Sequence, residues 1–187
     1  MSRPLAAPAA VVGGTPPIPP GPLTAGAAVS DWVAAMADAS TELALSLGVD
    51  GVELLGWHDV PPTGMAGAYI PLLAEDQTLQ LALLASPAGC ADLARLLLGM
   101  EPEETVTDAD IADAVGELVN IVAGGVKQRM QDPSRIGTGG GLRLGLPVFI
   151  HGYVQPTQQL EVSLASARIG EVDTHLMALR STLPARR

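Results

Sequence analysis

Between Thr107 and the pair Asp132-Pro133, apolar residues recur at Ile111, Val115, Leu118, Val122 and Val126, a spacing that fits one side of a long helix. Thr107 is suited to cap it, with Asp110 as the acidic third residue, where a capping box prefers Glu, and with Val106 and Ile111 placed for a hydrophobic staple. Asp132-Pro133 and a glycine loop at 137–141 mark its end. At about 100° of rotation per residue, Asp113, Glu117, Asn120 and Gly124 fall within roughly 40° of the meridian opposite the apolar side. An acid and an amide are thus expected side by side on an outward surface.

The rest of the chain places this helix in an α+β fold. Ser30 reads as the cap of a first helix over 31–47, which repeats apolar residues at Val33, Met36, Leu43 and Leu47 and stops at Gly48. Residues 52–60, 66–74 and 78–86 read as strands, with a turn at Glu75-Asp76-Gln77. In the third, Leu79, Leu81 and Leu83 alternate against Thr78, Gln80 and Ala82, so one face is expected to be buried. Ser86-Pro87 opens a short second helix with Leu93, Leu96 and Leu97 inward and Gly99 at its end. Beyond the long helix, alternation at 142–148, 160–164 and 172–176 predicts three more strands. Helix, strands, two helices, strands is not the strand-helix alternation of a doubly wound sheet. A mostly antiparallel sheet of about six strands with helices on one face follows.

Residues 1–26 hold seven of the sixteen prolines, which predicts an extended, disordered tail before a domain over 28–180, with a flexible end at 181–187. The net charge of -10 opposes nucleic acid, whose phosphates such a surface repels. Cys90 is alone, so no internal disulfide is available, and in its helical setting it reads as a buried thiol. No apolar run reaches the roughly 18 residues of a membrane span, and the N-terminus lacks the layout of a secretory signal. A cytoplasmic protein without membrane insertion is expected. His58, His151 and His175 lie in strand-like stretches with no second ligand at metal spacing, so no metal site is assigned. Nor is there a phosphate-binding glycine loop, a nucleophile elbow, or a His near a Ser or Cys.

Singly, Glu117 and Asn120 need no explanation, since solvated helix acids are common and an exposed Asn costs only about half a kcal/mol. Together they form a pattern: Asp113, Glu117 four residues on, Asn120 three further, and Pro147 downstream. With Gly116-Glu117-Leu118-Val119-Asn120-Ile121-Val122-Ala123-Gly124 and Leu144-Gly145-Leu146-Pro147-Val148-Phe149-Ile150-His151-Gly152, the chain resembles the response-regulator phosphatases of bacterial chemotaxis called CheX, CheC and FliY, CheX above all. The likeness extends more weakly over 28–180. The 26 residues from 121 to 146 are about four more than this family usually has there, the surplus falling at 137–141.

The resemblance implies a protein aspartyl-phosphate phosphatase acting on a phosphorylated CheY-like response regulator. Glu117 would pair with the partner's active-site lysine, and Asn120 would orient the attacking water while staying uncharged beside the phosphoryl group. Three more residues are implicated in partner binding: Asp113 at the rim, Gly124 as space for the partner's surface, and Lys127 as a steering charge. Each also has a plain reading. Asp113 and Lys127 suit any solvated helix surface, and Gly124 and Gly125 suit a frayed or closely packed turn. No cofactor is expected on this chain, since Mg²⁺ would come with the regulator, and kinship suggests a homodimer through exposed strands. The alternative is a non-catalytic adaptor or flagellar switch-like domain that binds regulators without dephosphorylating them.

Overall fold

The structure, a computed structural model, describes residues 27–60, 62–73, 78–131, 141–152 and 157–181. The expected tail at 1–26, the turn at 75–77 and most of the glycine loop lie outside the described residues. Element order is α1 (Val29–Ser46), β1 (Val52–His58), β2 (Ala66–Leu73), β3 (Thr78–Ala85), α2 (Pro87–Leu98), α3 (Asp108–Met130), β4 (Arg143–Leu144), β5 (Val148–His151), β6 (Leu160–Ile169) and β7 (Val172–Ser181). The strands form one antiparallel sheet in the order β1-β6-β7-β3-β2-β4, with β5 also paired to β2. This is the expected α+β architecture, with seven strands rather than about six.

The extra strand arises where the alternation at 142–148 breaks. β4 pairs with Leu72 and Leu73 and β5 with Ala66 to Tyr69, leaving Pro71 opposite the gap. Proline has no N–H to offer a ladder, so pairing cannot run through it. Its carbonyl instead accepts from Gly145 N at 2.8 Å. A side chain at Gly145 would be untenable, since a Cβ there would lie 2.4 Å from Pro71 Cγ.

The helix starts show how local chemistry sets the boundaries. At α3, Thr107 Oγ1 accepts from Asp110 N at 3.2 Å and donates to the Asp110 carboxylate at 2.6 Å, so Asp fills the place that usually goes to Glu. At α2, Ser86 Oγ accepts from Gly89 N at 3.0 Å, and Gly99 closes the helix in the left-handed region at φ 64°. α1 departs from expectation: its N-cap is Ala28, not Ser30. The Asp31 carboxylate accepts from Ala28 N at 3.0 Å, satisfying from within the first turn the donor that a serine cap would leave to others.

One large core joins all three helices to the sheet through Leu79, Leu81, Leu83, Ala165, Ala167, Leu176 and Ala178. The opposite sheet face is buried too, around Tyr69, Ala82, Leu84, Leu164, Met177 and Leu179, with no helix residue in the cluster. Ala82 therefore does not face solvent as simple alternation suggested. Cys90 is buried with its Sγ 3.5 Å from Ala66 O, and burial pushes its pKa up to about 11, the state of an inert core thiol.

Candidate functional site

α3 is the central element of the helical layer. Val115, Leu118, Val119, Val122, Ala123 and Val126 are buried, and Gly125 faces α1, where an added Cβ would come 2.8 Å from Ala39 Cβ. Near that contact, Arg129 donates to Gly125 O at 3.0 Å and pairs with Glu42 of α1. On the other flank, Pro147 lies beside Gly116, its Cγ 3.7 Å from where a Cβ there would stand, an ordinary contact distance. The strip left open between α1 and the Pro147 segment carries Asp113 and Glu117, both exposed, and Asn120, Gly124 and Lys127, all half-buried.

Glu117 and Asn120 are neighbours one turn apart. Their only mutual bond is long, Asn120 Nδ2 donating to Glu117 Oε2 at 3.5 Å, and no other side chain among the described residues engages either. An added Cβ at Gly124 would meet nothing within 4 Å, so of the two glycines Gly125 is the close-packing one and Gly124 the open one. Asp113 and Lys127 lie on the same strip without an ion pair among the described residues.

Neither of the two cavities lined by described residues opens onto this strip. An open groove of about 390 Å³ lies elsewhere, between the α1–β1 and β6–β7 turns, lined by Asp50, Glu53, Arg168 and Glu171 among others. There Arg168 is held by Asp173 at 2.9 Å, and this bond, with the charge behind it, raises the guanidinium pKa further. Glu117 is exposed and Asn120 half-buried, so the pair presents polar groups at the helix surface, an arrangement suited to entering another molecule's site.

A second polar constellation was not visible in the sequence. His58 of β1 and His175 of β7 converge from either side on Ser166 of β6, with Nε2 to Oγ distances of 2.6 and 3.0 Å. The expectation that no His stands near a Ser is therefore corrected. The three residues are 108 and 9 positions apart, and only the sheet register brings them together. The Ser166 hydroxyl has one proton, so with neutral histidines it donates to one ring and accepts from the other. Burial first, then the nearby His58 charge, lowers the His175 pKa, while Asp173 opposes the shift. Among the described residues no three His, Cys, Asp or Glu gather as a metal site.

The family model for chemotaxis phosphatase CheX matches residues 72–162, an interval that includes α3 and Pro147. Among solved structures, CheX from Vibrio vulnificus is similar with a TM-score of 0.62 at 13% identity, over 81% of this chain and 99% of that one. CheX of Borrelia burgdorferi, solved as a CheX-CheY-BeF3-Mg²⁺ complex, gives a TM-score of 0.57 at 14% identity, over 80% and 96%. FliY from Thermotoga maritima gives 0.54 at 17% identity, over 79% and 84%. Among curated proteins there is no match. No helix among the described residues is long and apolar enough to cross a membrane.

Proposed function

We propose, from the premise that this chain is a CheX-like member of the family formed by CheX, CheC and FliY, that it dephosphorylates the phospho-aspartate of a CheY-like response regulator. The observation that supports this reading best is the outward pair of Glu117 and Asn120 on α3, engaged by no other side chain among the described residues. A chain that made its own active site would surround such groups; one that completes another protein's site leaves them free.

In the proposed reaction a water attacks the phosphorus of the acyl phosphate, the bond from phosphorus to the aspartyl oxygen breaks, and inorganic phosphate and the free carboxylate result. Asn120 Oδ1 accepts a hydrogen bond from that water and fixes its line of approach, at no electrostatic cost beside the anion. Glu117 pairs with a lysine of the regulator and holds the two proteins in register. Mg²⁺ on the regulator neutralises charge on the phosphoryl oxygens. Asp113 lies at the rim, Gly124 leaves room for the partner's backbone, and Lys127 meets acidic surface.

Asn120→Ala tests the mechanism. Phosphate release from regulators of the same cell, phosphorylated with a small-molecule donor, should fall by about 100-fold at saturating partner, since an oriented water matters only in the transition state. Binding to the beryllofluoride-loaded regulator should persist. A correctly folded variant that keeps more than half the wild-type rate removes Asn120 from the mechanism. Binding by the wild type without any phosphate release would favour the non-catalytic adaptor instead.

A homodimer is part of the same proposal. Among the described residues β1 is the sheet's edge strand, paired only with β6, and it exposes Leu54, Leu55 and Trp57, the last 54% exposed. A second copy adding its own edge there would cover a row that otherwise invites unspecific pairing.

A further inference from the structure

Leu146 is 83% exposed, and its exposure is enforced by its neighbours. On one side Gly145 is fastened to β2 through its bond to Pro71 O at 2.8 Å. On the other side Pro147 rests against α3 at Gly116. With both neighbours anchored, the Leu146 backbone is held at the surface, one peptide unit or about 3.8 Å from Pro147.

A solitary exposed leucine is ordinary and needs no account. Leu146 differs in its position. The strip carrying Glu117 and Asn120 is bounded on the Gly116 flank by the Pro147 segment, and toward α1 by Ile121, which follows Asn120 and is 40% exposed. The polar pair therefore stands between exposed Ile121 and the segment that carries exposed Leu146, an arrangement open to an interface in which apolar anchors exclude water from a few polar contacts.

We infer that Leu146 is an apolar anchor for the response regulator, inserted into a hydrophobic recess beside the regulator's phosphorylation site, with Ile121 closing the opposite flank. This deepens the phosphatase reading and rests on it. A second copy paired through the exposed edge of β1 would leave Leu146 uncovered, because β1 lies at the opposite end of the sheet from β4 and β5. Anchoring by Leu146 would make affinity depend on a residue that takes no part in the chemistry.

Leu146→Ser in the full chain tests this, with Ile121→Ser as a second variant. Four measurements are made on each: affinity for the beryllofluoride-loaded regulator, turnover at saturating phosphorylated regulator, sedimentation, and thermal stability. Leu146→Ser should weaken binding by about tenfold or more, leave saturated turnover within about twofold, and leave Tm and sedimentation unchanged. Ile121→Ser should act in the same direction, less strongly. Unchanged affinity in a variant whose wild type dephosphorylates the regulator overturns the anchor and spares the phosphatase reading. A change in sedimentation with unchanged affinity overturns it in favour of a second copy as occupant. A wild-type chain that neither binds nor dephosphorylates any regulator overturns both.

Discussion

Two groups of polar side chains sit on opposite sides of the sheet and treat their hydrogen bonds in opposite ways. On β1, β6 and β7, His58, Ser166 and His175 bond to one another at 2.6 and 3.0 Å, so both Nε2 atoms find a partner within the chain, while His175 Nδ1 is buried without one. On α3, Glu117 and Asn120 share one contact of 3.5 Å and are otherwise open. The first group has what a structural network needs. The second has spare bonding capacity at a fixed separation on a rigid helix, which is useful only when another molecule brings complementary groups.

The most severe way to break this contrast is to reverse the charge on the open side. Glu117→Lys should leave stability unchanged to within about 0.5 kcal/mol, because among the described residues that carboxylate makes only the long contact with Asn120. Affinity for the activated regulator should fall by about 100-fold, since a lysine would face a lysine where an ion pair is proposed. Titration calorimetry with the beryllofluoride-loaded regulator reads both partners directly. An unchanged dissociation constant would contradict the pairing even if turnover collapsed.

Adjacent glycines draw the same boundary within one helix turn. Gly125→Ala should cost about 1–3 kcal/mol, because its Cβ would enter the space of Ala39 at 2.8 Å and crowd Arg129 at 3.0 Å. Gly124→Ala, with open space around it, should instead stabilise the isolated protein by up to about 1 kcal/mol through helix propensity. Chemical denaturation of the two variants should move the midpoint in opposite directions. If both lower it, the strip is packed rather than open and its availability to a partner is wrong. Gly124→Phe carries the test to the interface: it should fold and fail to dock.

Features set by nearby residues were readable in the sequence, and those set by distant pairing were not. Thr107 and Asp110 specify the start of α3 between themselves, and the helical spacing of Val115, Leu118, Val122 and Val126 determines which side is buried, so the outward position of Glu117 and Asn120 followed. Ser86 and Gly99 bound α2 in the same local way. By contrast, the split into β4 and β5 depends on Pro71, more than seventy positions earlier, so the unbroken alternation of Leu142, Leu144, Leu146 and Val148 could not reveal it. The buried second face was hidden for a similar reason: Ala82 reads as neutral until the register sets it beside Met177 and Tyr69. Pro147 lies beside Gly116 of α3, a proximity that spacing alone could not give.

The smallest effect expected belongs to the histidine–serine group, and its sign follows from His175. Its pKa is depressed in the folded chain by burial and by His58, against a free value near 6.5, so folding favours the neutral ring. Above about pH 6.5 the ring is neutral in both states and its contribution to stability is fully present. As pH falls below that value the unfolded chain binds the proton first, and the contribution is lost progressively toward the folded pKa. The groups facing the ring are His58, which adds to this loss when it charges, and Asp173, which opposes it. Urea unfolding of the wild type and of His175→Gln, compared at about pH 7.5 and about pH 5.5, should show a steeper acid loss in the wild type. Ser166→Ala should cost about 1 kcal/mol at neutral pH, because it leaves two ring nitrogens without their shared partner. It should leave phosphate release untouched, because this network lies on the sheet face away from α3. Equal pH slopes in wild type and His175→Gln would show that the ring gains nothing from its setting, and the contrast between the two polar groups would then rest on geometry alone.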